Sequence, residues 1–205
     1  FRYTLHMVAN RETHEPERLP RRRLKRSEYD VLVDQGAFED ERVELLFGEI
    51  IEMSPQKPPH SAITQRLAKL LTLALRGIAE VQSHSPIVGA EESEPEPDVA
   101  VFTPGVAPGR EHPTQVHIVI EVAHWSRLRD LGVKRRLYAL TGIPEYWVID
   151  VAKREVHVMR EPAEIGFRTT QTYPVGSGIT LNLLVFPDVG MNSAYDPRID
   201  QRVHT

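Results

Sequence analysis

The spacing of apolar residues changes period several times along the chain, and each change marks an element. Residues 60 to 79 carry Ile63, Leu67, Leu70, Leu71, Ala74, Leu75 and Ile78 at helical spacing, which predicts a long amphipathic helix whose apolar stripe packs on a sheet. Upstream, Arg42 to Met53 reads as two strands around a tight turn at Gly48. Ser27 with Asp30 three positions on resembles a capping arrangement and Gly36 offers a stop, so residues 27 to 36 predict a short helix. Short strands are expected near 80–89, 98–102 and 116–123, with a Pro/Gly-rich loop at 103–114. A second helix spans roughly 126 to 141 and stops at Gly142, before Pro144. Strands then follow at 145–151, 155–160 and 167–173, with a further one at 179–185. Helix, hairpin, helix, strands, helix and strands make an α/β domain without internal repeats.

One polar residue breaks this pattern. Glu121 lies inside the β-branched run Val116 to Ala123, which reads as a buried central strand. An ionised carboxylate there costs several kcal/mol, on the order of a lost buried hydrogen bond or more, unless it is paired or bound to metal. Candidate partners are Asp98, which opens the short apolar strand after Glu96-Pro97, and Lys134. Counted at 100° per residue, the following helix places Val133, Leu137, Leu140, Tyr138 and Leu131 on one arc. Arg129, Arg135 and Arg136 fall opposite, while Asp130 and Lys134 sit in the middle of the apolar arc. An acid–lysine pair on an exposed helix face is ordinary. On the buried face it is either an ion pair that fixes the helix or a lysine aimed into an active site. Two strand carboxylates with a lysine suggest a divalent-metal phosphodiesterase site.

Composition narrows the class. At 205 residues, with 40% hydrophobic residues, the chain suits one well-packed domain and is short for two. It has no cysteine, so disulfide frameworks and thiolate metal sites are excluded and a reducing cytoplasm is the natural reading. No stretch approaches ~20 uninterrupted apolar residues, so no membrane segment is expected. A net charge of −4 argues against sequence-independent coating of DNA, yet suits an enzyme whose acidic pocket is offset by metal. Residues 1–26 read as a flexible basic tail, with residues 1–6 as a vector remnant ahead of a native start at Met7. Basic residues fill five of the six positions from Arg21 to Arg26, either as a solvated arm or as a phosphate-contacting one. Residues 27–190 are expected to form the single domain and 191–205 a C-terminal tail. The acidic stretch Glu91 to Asp98 reads as a charged loop, apart from Asp98 at the mouth of a strand.

Several separated motifs together resemble a known family. They are Glu44 to Pro55, then His60, Pro97-Asp98-Val99, Val119 to Ala123, Ser126, Asp130, Gly132-Val133-Lys134, Leu137-Tyr138-Ala139 and Gly142 to Asp150. In this order and spacing they are similar to the Uma family of restriction-endonuclease-like proteins, within the PD-(D/E)XK nuclease superfamily, and the resemblance runs from about Ser27 to Pro187. It implies a mixed central β-sheet flanked by helices, with additional C-terminal strands. It also implies Glu44, Asp98 and Glu121 as acidic site residues and Lys134 as the site lysine. The superfamily's usual lysine lies two residues after the glutamate, where this chain has Ala123. The resemblance is to members whose lysine has migrated to the next helix, where the helical wheel independently puts Lys134. His124 and Trp125 depart from the small and acidic residues found after this strand in relatives, which bears on substrate preference.

The implied chemistry is hydrolysis of phosphodiester bonds in DNA. Asp98 and Glu121 would hold Mg²⁺, with Mn²⁺ as a substitute, and a carbonyl of Val122 or Ala123 could add a ligand. Lys134 would orient or deprotonate the attacking water or screen the phosphate. Glu44 would help hold a second ion or position water, and His60 and Asp130 would support the site. A homodimer is expected if both strands of a duplex are cut. Each residue has a plainer reading. Glu44 could be an edge carboxylate in solvent, Asp98 a turn cap after Pro97, and His60 a helix residue covering the core. Tyr138, Tyr146 and Trp147 read first as core. None of the nine histidines forms an H-x-x-x-H pair, which disfavours a zinc hydrolase. Two other classes stay open: an inactive nucleic-acid-binding module on a nuclease fold, and a metal-free carboxylate-pair hydrolase acting on sugars.

Overall fold

The computed structural model describes residues 21–105 and 112–179. Residues 180–185 of the expected strand at 179–185, most of the basic tail and the C-terminal tail lie outside the described residues, as does part of the 103–114 loop. A six-stranded sheet forms the centre, in the order β3 (Glu80–Ser83), β4 (Val99–Phe102), β5 (Val116–Ala123), β6 (Glu145–Asp150), β7 (Glu155–Ala163) and β8 (Gly166–Pro174). Only β5 and β6 run parallel, so the sheet is mixed. A separate hairpin pairs β1 (Val43–Leu46) with β2 (Glu49–Glu52).

Strand alternation sends residues to two cores. Val99, Val101, Ile118, Ile120, Trp147 and Val158 pack with Leu71 of helix α2 (Pro58–Ala74) and with Leu75, which caps it. Ala100, Phe102, Val119, Ala123, Tyr146, Val148 and Met159 pack on the other face with Tyr138 and Ala139 of helix α4 (Arg135–Leu140). Both faces of β5 are therefore covered, which is why it reads as a continuous apolar run rather than an alternating one. Glu121 shares its parity with Val119 and Ala123 and so points to the α4 face.

Several elements differ in detail from expectation. Helix α1 spans Arg26–Asp34, and its cap is Lys25, whose backbone N–H donates to Glu28 Oε2 at 2.9 Å; Ser27 is already inside the helix. Helix α2 begins at Pro58, since proline's fixed φ suits the first turn, and ends at Ala74, with Leu70 and Ala74 turned to solvent. The hairpin turn uses Phe47 and Gly48, both at positive φ, as a two-residue connection requires. A side chain at Gly48 would also collide with Arg23, where Leu24 N–H meets the Gly48 carbonyl at 3.0 Å.

The acidic stretch is not a solvated loop. Leu45 and Glu94 exchange backbone hydrogen bonds, Phe47 N–H donates to Ser93 Oγ at 2.9 Å, and Ser93, Glu94 and Asp98 are buried. Among the described residues of the basic run, Lys25 pairs with Glu91 at 2.6 Å and Arg23 with Glu92 at 3.5 Å. The two charged stretches pair with one another at the surface beside the β1–β2 hairpin.

The helix expected over 126–141 is broken into α3 (Arg127–Arg129), a π turn over Asp130–Lys134, and α4. In the π turn the Arg135 N–H reaches back five residues to the Asp130 carbonyl. The extra residue rotates the helix face, so Val133 and Leu140, placed inward by a uniform wheel, are about half exposed. Asp130 and Lys134 remain buried.

Candidate active site

Four acidic side chains and one lysine converge where β4 and β5 meet the hairpin and the π turn. Lys134 Nζ lies 2.9 Å from Glu121 Oε1 and 2.9 Å from Glu44 Oε2. Tyr138, one helical turn beyond, donates its hydroxyl to the same Glu121 Oε1 at 2.9 Å. Glu121 Oε2 receives only a long contact, from the Asp98 N–H at 3.4 Å. Asp98 Oδ2 accepts from the Val122 N–H at 2.7 Å and contacts His60 Nε2 at 3.0 Å, while its Oδ1 lies 3.5 Å from His84 Nδ1. Gln56 meets His84 Nδ1 at 2.7 Å. Asp130 accepts from Ser126 Oγ at 2.5 Å, and its carbonyl accepts from Tyr146.

All six sequence-predicted residues line one cleft: Glu44, His60, Asp98, Glu121, Asp130 and Lys134. Glu44 is buried at 1% exposure, which removes its reading as a solvated edge residue. Asp98 is more than a turn cap, because its carboxylate reaches across to β5. Tyr138 belongs to the core as expected and also contacts Glu121. Sequence reasoning missed His84 and Gln56, which no motif marked. Tyr138 could have been found from its position four residues after Lys134, on the same helix face.

The cluster is rich in acceptors. Burial, helped by Asp98, Asp130 and Glu44 and opposed by Lys134, holds the Glu121 carboxyl well above the ordinary carboxylate range. Burial likewise takes Asp130 up to about 6. Burial would lower Lys134, but Glu121, Glu44 and Asp130 outweigh it and keep the ammonium charged above its usual range. Asp98 moves the other way: burial is overcome by His60, the Val122 amide and Lys134, and its carboxyl is held down. Glu44 Oε1 is buried without a hydrogen-bond partner, and Arg129 stands 4.0 Å away. An orphaned buried carboxylate oxygen beside two further carboxylates fits a hard divalent cation, which takes oxygen ligands.

A second candidate cation-binding group lies at the C-terminal end of β6, where Asp150 pairs with Ala123. Asp150, Glu155 and His157 bring one ligand atom each within 4.8 Å of one another. Asp150 is already engaged there by Arg127 at 2.6 Å and by the Lys153 N–H at 3.0 Å.

Residues 26–193 match the Uma2 family, described as "Putative restriction endonuclease". No curated protein matches the chain. Among solved structures it is similar to "a putative nuclease belonging to DUF820 from Anabaena variabilis ATCC 29413", with 19% identity and a TM-score of 0.53 over 69% of this chain and 82% of that one. At this identity the likeness establishes the fold, a nuclease-like mixed sheet flanked by helices. No helix among the described residues is long and apolar enough to cross a membrane.

Proposed function

Because the chain belongs to the Uma2 family of restriction-endonuclease-like proteins, we propose that it is an endonuclease hydrolysing phosphodiester bonds in DNA, with Mg²⁺, or Mn²⁺ in its place, as cofactor. The observation that carries this reading is the Lys134 ammonium bridging Glu44 and Glu121 beside Asp98, in an open cleft. Asp98 and Glu121 would hold the ion, and Glu44 Oε1 is a third available oxygen. When bound, a divalent ion neutralises charge on the reacting phosphate and lowers the pKa of a water.

The remaining groups prepare those oxygens. Tyr138 and Lys134 bind Glu121 Oε1 and leave Oε2 nearly free. The Val122 amide and His60 bind Asp98 Oδ2, while Oδ1 has only the 3.5 Å approach of His84 Nδ1. The neighbouring carboxylates favour the charged form of Lys134, which suits orienting water through donated hydrogen bonds and screening the phosphate. Asp130, held by Ser126, supplies negative charge that keeps Lys134 protonated. A homodimer is proposed only for the case of double-strand cleavage, where each strand would meet one site.

The test incubates the protein with supercoiled, linear, single-stranded and branched DNA, with Mg²⁺ or Mn²⁺ and then with EDTA. Cleavage that needs the metal and disappears in Glu121→Ala and Lys134→Ala supports the proposal. If wild type cuts nothing, or both variants cut as well as wild type, the chain is instead a binding module on a nuclease fold.

A further inference from the structure

The mouth of the cleft carries an aromatic residue that the core does not use. Trp125 follows β5 by two positions, lines the same cleft as Asp98, Glu121 and Lys134, and is 70% exposed. Trp147, by contrast, is buried at 6% and donates its indole N–H to Glu145 at 2.5 Å. An indole left open at the rim of a polar cleft offers a large, rigid flat face for contact. His124 packs against the Trp125 ring in a tilted arrangement with centroids 4.7 Å apart. Lys57, at the start of α2, places its ammonium 5.2 Å from the ring centroid. Arg129 and Arg42 line the same cleft.

An aromatic face beside a lysine ammonium is the chemistry that receives an unstacked base and its phosphates. A base inside an intact duplex has both faces covered by its neighbours and cannot use such a platform. Only a single strand, an unpaired end or an extruded nucleotide can. Resting on the nuclease reading above, we propose that Trp125 stacks on an unpaired nucleobase of the DNA strand entering the cleft, with Lys57 contacting an adjacent phosphate. The site therefore prefers single-stranded or locally unpaired DNA. Lys57 sits on a long flexible stem and exchanges its place over the ring for the incoming base. Trp125 is anchored four residues from Glu121, so the stacked base fixes the register of the strand over the carboxylates.

The test reads binding, in EDTA, so it does not depend on cleavage. Intrinsic fluorescence of the full chain is titrated with a mixed-sequence single strand and with the matching duplex, and labelled oligonucleotides give affinities by anisotropy. The single strand should quench the exposed Trp125, leaving the buried Trp147 as a constant background, and Trp125→Phe should remove the quenched component. Trp125→Ala should lower single-strand affinity about ten- to hundredfold, the range of one base–aromatic stack, and leave duplex affinity within about twofold. Trp125→Phe should keep most of the affinity, and Lys57→Ala should reduce the salt dependence by about one phosphate contact. Equal losses for single strand and duplex, unchanged affinity in Trp125→Ala, or a change of oligomeric state in that variant would overturn the proposal. A wild type that binds through Trp125 yet cuts nothing supports the platform and refutes the nuclease. One that cuts, with Trp125→Ala binding normally, refutes only the platform.

Discussion

Glu145 and Glu121 stand on adjacent strands of one sheet, are both almost fully buried, and are satisfied in different ways. Glu145 faces the α2 side, where Arg160 donates through Nε at 2.7 Å and through a second nitrogen at 3.1 Å, and Trp147 adds a third hydrogen bond. One carboxylate meets one guanidinium in a bidentate pair, and both oxygens are occupied. Glu121 faces the α4 side, where a single buried lysine serves it and Glu44 together, with Asp98 and Asp130 nearby. Acceptors outnumber donors there, and one Glu44 oxygen has no partner. A balanced pair contributes to the fold, whereas an unbalanced cluster is destabilising by itself and is open to a cation or substrate.

The largest expected effect is on activity. Lys134→Ala and Glu121→Ala should each lower DNA cleavage by at least about a thousandfold, which is about 4 kcal/mol of transition-state stabilisation. Glu145→Ala should leave the folded fraction active within a few-fold. Comparing kcat/KM for the three variants checks this, and equal inactivation would erase the distinction between the two regions.

Stability should show the reverse order. Removing Arg160 leaves a buried carboxylate unpaired, so Arg160→Ala should lose roughly 3 kcal/mol in urea unfolding. Glu121→Gln should lose less than Arg160→Ala, because Lys134 keeps its ion pair with Glu44 at 2.9 Å and burial already disfavours the charged form of Glu121.

Metal addition separates the cleft from the β6–β7 cluster. A divalent ion at a hundredfold excess over its Kd should stabilise the wild type by about 2.7 kcal/mol. This gain should vanish in Asp98→Ala and persist in His157→Ala. The opposite result would assign the ion to Asp150, Glu155 and His157.

A pH-dependent effect concerns a buried carboxylate outside this contrast. Glu94 is raised from 4.5 to about 7, by burial first and then by Asp30. The folded state therefore holds its proton more tightly than the unfolded chain. The resulting stability is fully present below pH 4.5 and is lost as pH rises through about 7. Glu94→Gln should flatten the decline across that window, as read from unfolding midpoints at a series of pH values.

Strand β5 was legible to the residue because burial on both faces leaves an uninterrupted apolar run, and in that run Glu121 is conspicuous. The hairpin, α2, β6 and the family motifs were also readable, since local period and turn chemistry mark them. The π turn was not, because one extra residue in a helix alters the direction of side chains without altering composition. The basic and acidic stretches each looked solvated alone, and their pairing with one another depends on the fold. His84 and Gln56 carried no motif, as their meeting with Asp98 depends on separate segments arriving at one point. The sequence by itself thus determined which residues are apolar, periodic and chemically able. The tertiary structure alone decided the balance of donors and acceptors around them, because charge compensation depends on distances between segments far apart along the chain.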